Sequence, residues 1–297
     1  MTDGGIETTL IFQEGFDLPQ FAAVDLLRSE AGTEALRSYY ARYAELASDL
    51  GIGFILESPT WRASPAWAAR LGYSASELHQ LNWAAIALME EIRDQYEASK
   101  APFVISGCVG PQGDAYAPDE LLSADAAERY HQTQIATFAE TSADMVTALT
   151  MTYAAEAVGI VRASSSAGLP AAISFTVETD GQLPSGQPLG EAIDQVDEET
   201  QQGAAYFMVN CAHPTHFQHI IEREAPWLAR VRGVRANAST KSHAELDEAT
   251  TLDDGDPHDL ATRHGQLRAL LSNLNVVGGC CGTDHRHVEA IWRTLLN

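Results

Sequence analysis

Leu274-Asn275-Val276-Val277-Gly278-Gly279-Cys280-Cys281-Gly282-Thr283 joins a short apolar run, a glycine-flanked cysteine pair and a helix-start residue. The run over 274–278 reads as a strand covered on both faces. Thr283 reads as the N-cap of a helix over 284–295, with Asp284 in its first turn. Side chains of neighbouring strand residues point to opposite sides. For Cys280 and Cys281 to face one point, the backbone must turn sharply, and Gly278, Gly279 and Gly282 tolerate such dihedrals.

The same strand-then-helix unit recurs along the chain. Short apolar runs near 54–57, 103–108, 145–150, 171–177, 206–211 and 231–236 read as further strands. Helical patterns fill the intervals near 33–50, 76–98, 124–142, 153–167, 190–203, 214–224 and 258–272. Stretches rich in Gly, Pro, Asp and Ser over 111–118, 179–188 and 250–257 read as loops. An eighth strand would lie around Met1–Leu10. Alternation of this kind means parallel strands joined by right-handed crossovers. A closed barrel and an open doubly wound sheet both satisfy it.

In βα folds the functional groups gather just beyond the C-terminal ends of the strands. All four cysteines fall at such ends: Cys108, Cys211, Cys280 and Cys281. Clustered cysteines in a long chain with few of them are metal ligands or catalytic groups more often than disulfides. Three thiolates on one point suit zinc, which favours soft sulfur and a tetrahedral shell. With Cys211, Cys280 and Cys281 as ligands, the fourth position stays open for a substrate. Cys108 is either a further ligand or a small buried side chain. His213, His216, His285 and His287 follow the cysteines at helix starts and read as surface histidines.

The 297 residues carry 41 acidic and 18 basic side chains, a formal charge of −23. Such a surface excludes nucleic-acid backbones and anionic membranes as partners. No apolar run reaches the roughly 18 residues a membrane helix needs. Met1-Thr2-Asp3-Gly4-Gly5 lacks a basic segment followed by an apolar one, so no signal peptide is expected and a cytoplasmic location is. Homo-oligomerisation is left open.

The motifs resemble those of the homocysteine S-methyltransferase family over nearly the whole chain. The matching stretches are Asp3-Gly4-Gly5-Ile6-Glu7-Thr8-Thr9-Leu10, Ser106-Gly107-Cys108-Val109-Gly110-Pro111, Ser174-Phe175-Thr176-Val177, Val209-Asn210-Cys211 and Gly278-Gly279-Cys280-Cys281-Gly282-Thr283. The resemblance implies an α/β fold, a (β/α)8 TIM barrel, as one domain over 1–297. It implies Zn2+ held by Cys211, Cys280 and Cys281. It also implies transfer of a methyl group from a sulfonium or quaternary-ammonium donor to homocysteine, giving methionine. Both partners are then small molecules, a thiol acceptor and a cationic methyl donor.

A cationic donor favours aromatic and acidic surroundings. Trp61 is the best-placed ring, and Trp67 and Tyr73 follow in what reads as the same loop. The family's Glu-Thr pair, which grips the homocysteine amino group, aligns here with Leu149 and Thr150. A buried ammonium needs a compensating carboxylate. Asp3, Glu57 and Glu178 are the candidates, and Asn210 joins Thr150 among the expected substrate contacts. The leucine also admits an acceptor other than homocysteine, a different small thiol or a selenol. A non-catalytic zinc- or thiol-binding barrel is the remaining alternative.

Overall fold

The structure, a computed structural model, describes residues 1–96, 101–116, 121–221 and 225–297. Seven parallel strands pair in sequence order and curl as in TIM-barrel-like folds. They are β1 (Phe54–Glu57), β2 (Phe103–Val109), β3 (Met145–Met151), β4 (Ala171–Phe175), β5 (Ala204–Asn210), β6 (Val231–Ala236) and β7 (Val276–Gly279). Each lies within three residues of its expected start. Most of their side chains are buried, because helices cover the outer face and side chains fill the inner one.

The helices are α1 (Ile6–Thr8), α2 (Glu30–Leu50), α3 (Pro65–Leu71), α4 (Ala75–Gln95), α5 (Ala124–Ala139), α6 (Ala154–Ser166), α7 (Leu189–Thr200), α8 (Pro214–Ile221), α9 (His243–Asp247), α10 (Pro257–Leu270) and α11 (His285–Leu296). Their ends follow local chemistry. Ser29 caps α2, and left-handed Gly51 stops it at φ 68°. Ser74 and Glu77 form a capping box on α4. The expected helical residues 97–98 and 222–224, and the loop residues 117–118, lie outside the described residues.

The eighth strand expected around Met1–Leu10 does not form. Residues 1–3 do run in the gap between β7 and β1. The Met1 amine donates to Gly53 O at 2.7 Å and Ile55 N donates to Met1 O at 2.9 Å. On the other side Thr2 N donates to Val277 O at 3.0 Å, and Gly279 N donates to Asp3 O at 2.8 Å. The chain then leaves the sheet, and Gly5 passes so close to the cysteine loop that a Cβ there would sit 2.5 Å from Cys280 O. Beyond it come α1 and a π-turn over Thr9–Gln13.

Three of the four surface-histidine expectations are also overturned. His213, His216 and His287 are buried, and only His285 is exposed. Each buried ring has a hydrogen-bond partner: His213 Nδ1 meets Thr215 Oγ1 at 2.8 Å, His216 Nε2 meets Thr240 O at 2.9 Å, and His287 Nε2 meets Asp254 O at 2.8 Å. The N-cap of α11 is Asp284, not Thr283. Asp284 accepts from Arg286 N, while the Thr283 hydroxyl turns back to donate to Cys280 O at 2.7 Å.

Among the described residues no helix is long and apolar enough to cross a membrane.

Candidate metal centre and substrate cavity

Cys211 follows β5, and Cys280 and Cys281 follow β7, so the curl of the sheet brings the three to one end. Their sulfurs lie within 4.8 Å of one another. Cys211 and Cys280 are paired as a disulfide, and Cys281 is free. Burial pushes the Cys281 thiol up to about 12. Three sulfurs each about 2.3 Å from a tetrahedral zinc ion stand roughly 3.8 Å apart. Once the pair is reduced, three thiolates this close together are a donor set that fits zinc. Of the three glycines expected to turn the backbone, only Gly282 is left-handed, at φ 79°.

Cys211 itself takes a left-handed backbone at φ 54°, and Thr150 does so at φ 64°. That region is disfavoured for residues with a Cβ, most of all for a β-branched one. Asn210 ties the two together. Its Oδ1 accepts from Thr150 N at 2.8 Å and from Ser174 Oγ at 2.7 Å. Its Nδ2 donates to Thr150 Oγ1 at 2.9 Å and to Cys280 Sγ at 3.9 Å. A primary amide has two donors and two acceptor sites, so Asn210 is fully engaged by the protein. The Thr150 hydroxyl donates to Cys211 Sγ at 4.0 Å.

A cavity of about 400 Å³ opens beside the sulfurs. Asp3, Glu57, Trp61, Thr150 and Asn210 line it together with the three cysteines, and Glu178 does not. The Glu178 carboxylate instead meets His243 Nδ1 at 3.1 Å. Trp61 donates its Nε1–H to Leu149 O at 3.3 Å and lies under the Arg62 guanidinium, 4.9 Å from the ring centre. Trp67 and Tyr73 do not share a loop with it. Trp67 sits on α3, buried, with Nε1 donating to Pro111 O at 3.2 Å, and the Tyr73 hydroxyl bonds Asp25.

Cys108 stays apart from the other three sulfurs. It packs with Leu149 and Met208, and of these Cys108 and Leu149 line the cavity. Burial raises its thiol well above the ordinary range. Leu149 and Thr150 occupy a register irregularity between Ala148 and Met151 of β3, which explains the unusual backbone there.

Arg235, on β6, was missed in the sequence. Its side chain is buried between two carboxylates, with Nη2 donating to Asp3 Oδ1 at 2.7 Å and Nη1 4.0 Å from Glu57 Oε1. Tyr39 adds a hydroxyl at 2.9 Å from Asp3 Oδ2. Burial opposes the charge on Arg235, yet Asp3 and Glu57 hold it protonated beyond its usual range. The one signal available was spacing: β6 carries Arg232 and Arg235 three residues apart, so the two point to opposite faces and one of them must face inward. Tyr116, Asn237, His243 and Glu7 also line the cavity without having been singled out.

Burial pushes Glu57 up to about 7 from 4.5, against the pull of Arg235. Between those values the folded state keeps a proton that the unfolded state has lost. Raising pH through that window therefore weakens the fold, by on the order of 3 kcal/mol at about 1.36 kcal/mol per unit. Glu57→Gln is expected to remove most of that fall, read from urea midpoints at about pH 5 and about pH 8. An unchanged pH slope in the variant would show that Glu57 does not carry it.

Residues 1–295 match the sequence model of a family described as homocysteine S-methyltransferase. A comparison with curated protein sequences gives no match. Among solved structures, the oxidised form of the homocysteine methyltransferase MmuM from Escherichia coli superposes with a TM-score of 0.77 at 19% identity, covering 98% of this chain and 94% of that one. Its metallated form gives 0.75 at 18% identity with the same coverage. At these identities the likeness is one of fold.

Proposed function

Because the chain belongs to the homocysteine S-methyltransferase family, we propose that it is a zinc-dependent thiol methyltransferase acting as a single domain over residues 1–297. The reading has a cationic donor, a sulfonium or quaternary ammonium, giving its methyl group to homocysteine. The observation that carries it is the convergence of Cys211, Cys280 and Cys281 on one point beside a cavity.

Cys211, Cys280 and Cys281 would hold zinc, which supplies a positive charge that keeps a bound substrate thiol deprotonated near neutral pH. A free thiol, with a pKa near 8.5, is mostly protonated there. The protein's own groups do the rest. Asn210 and Thr150 orient Cys280 and Cys211 through their sulfur contacts. Cys108 and Leu149 give the cavity an apolar side on which a substrate sulfur would sit. The acceptor sulfur attacks the donor methyl carbon in line, the old bond to carbon breaks, and the donor leaves neutral. No strong general acid is needed, and alignment supplies much of the acceleration.

The lining suits a cation. Six carboxylates, Asp3, Glu7, Glu57, Asp114, Asp247 and Asp253, face the cavity against the guanidinium groups of Arg62 and Arg235. Phe12, Phe21, Trp61 and Tyr116 add aromatic faces.

A second acceptor is favoured by one specific feature. Leu149 replaces a carboxylate, and Asp3 is already paired with Arg235. An acceptor thiol without an ammonium at that point would lose nothing there. A screen of donors against acceptors on reduced, zinc-loaded protein, read by mass spectrometry, separates the readings. Methylated homocysteine is the expected product. Turnover of another thiol alone moves the activity to that acceptor, and zinc uptake with no turnover on any pair removes the catalytic reading.

A further inference from the structure

The carbonyl oxygen of Cys211 is gripped by two side chains. Asn237, just beyond β6, donates Nδ2–H to it at 2.9 Å. His243, on α9, stands with Nε2 at 2.6 Å. A carbonyl only accepts, so Nε2 carries the hydrogen. Asn237 and His243 are buried. On the amide side of the same residue, Cys211 N donates to Arg235 O at 3.1 Å. The backbone N–H and C=O of this one residue thus take part in three hydrogen bonds, at a φ of 54° that is unfavourable for it.

The ring of His243 is itself held. Glu178 Oε1 meets Nδ1 at 3.1 Å, and the Tyr116 ring packs against it at a tilt of 32°, with 4.1 Å between centroids. Asn237 and His243 have no part in the proposed methyl transfer, yet segments following β2, β4 and β6 contribute to the arrangement.

We propose that His243, with Asn237, is a positioning residue for Cys211, locking the left-handed backbone that aims its sulfur at Cys280 and Cys281. The inference rests on the reading that these cysteines hold a metal. Without the two donors, Cys211 would relax toward ordinary backbone regions and its sulfur would swing out of the cluster. Groups that orient ligands in this way are commonly worth about 10–100-fold in metal affinity.

The test uses the full chain, reduced and stripped of metal, titrated with zinc against a chromophoric chelator and separately with Co2+. His243→Ala is expected to weaken zinc binding by about 10–100-fold. It is also expected to alter the sulfur-to-cobalt charge-transfer bands at saturating metal, which a purely structural role would leave alone. His243→Gln, whose side-chain amide again offers an N–H, should recover most of the affinity and the spectrum. Glu178→Ala keeps the ring but frees it, and should give a smaller loss. That residue is half-exposed, so the variant is expected to fold. Wild-type affinity and spectrum in His243→Ala would overturn the clamp alone. Should that variant fail to fold, unchanged zinc binding in Glu178→Ala would overturn it instead. A wild-type protein that takes up no zinc after reduction would overturn both the clamp and the metal reading beneath it.

Discussion

Replacing Cys281 with alanine should cost the protein its zinc and at least about three orders of magnitude in methyl transfer. The size follows from two losses. At neutral pH a thiol with a pKa near 8.5 is only about 3% thiolate, a factor of roughly 30. Alignment of two bound reactants is worth effective molarities of about 10⁵ M or more, and the metal-bound acceptor depends on that alignment. Cys281 is the sharper choice among the three sulfurs, because Cys211 and Cys280 are paired with each other while Cys281 is free. Metal content by mass spectrometry, alongside turnover, makes the check. A variant that retains one zinc per chain and activity within tenfold of wild type would remove Cys281 from the centre.

Arg235→Met addresses the other group on which the site stands. Arg235, Asp3 and Glu57 are each at most 5% exposed at the side chain, so the guanidinium is the counter-charge of two buried carboxylates. Breaking a buried ion pair by removing one partner typically costs about 3–5 kcal/mol, since the remaining charge is left uncompensated. The variant is expected to lose stability of that order near pH 8, read as a lower urea midpoint at an unchanged slope. Burial already raises the pKa of both Asp3 and Glu57. Acidifying the medium should therefore shrink the deficit, as the stranded carboxyl groups take up protons. Adding Glu57→Gln to Arg235→Met should restore part of the loss for the same reason. A single variant within about 1 kcal/mol of wild type at every pH would mean that the triad is not a source of stability.

The strands were legible because their burial on both faces leaves short, nearly continuous apolar runs, from Phe54-Ile55-Leu56 to Val276-Val277. The placement of all four cysteines near strand ends followed from that reading, and so did their gathering at one end of the sheet. Helix α3 was not read, although Pro65 at its start and left-handed Gly72 at its end are ordinary boundary signals. Two tryptophans nearby made the segment look like an aromatic loop. What lay beyond reach was mostly pairing over long separations. Arg235 and Asp3 stand 232 residues apart, and nothing local in either stretch announces the other. Asn210 and Glu178 were expected to meet substrate because of where they fall after strands. In the structure Asn210 bonds Thr150, Ser174 and Cys280 while lining the cavity, and Glu178, which does not line it, meets His243. A position at a strand end says that a side chain can reach the site, but not what it will find there. The buried histidines follow the same rule, since each is satisfied by a carbonyl or hydroxyl from its own turn or a neighbouring loop.

Cys108, Leu149 and Met208 belong to β2, β3 and β5, whereas the sulfurs that gather sit in the turns after β5 and β7. Under the proposed reading, the sulfurs that would activate the acceptor thiol and the apolar side chains beside them are thus carried by different segments of the chain. Substitution at Cys108 or Leu149 would then reshape the cavity wall without removing a sulfur from the cluster.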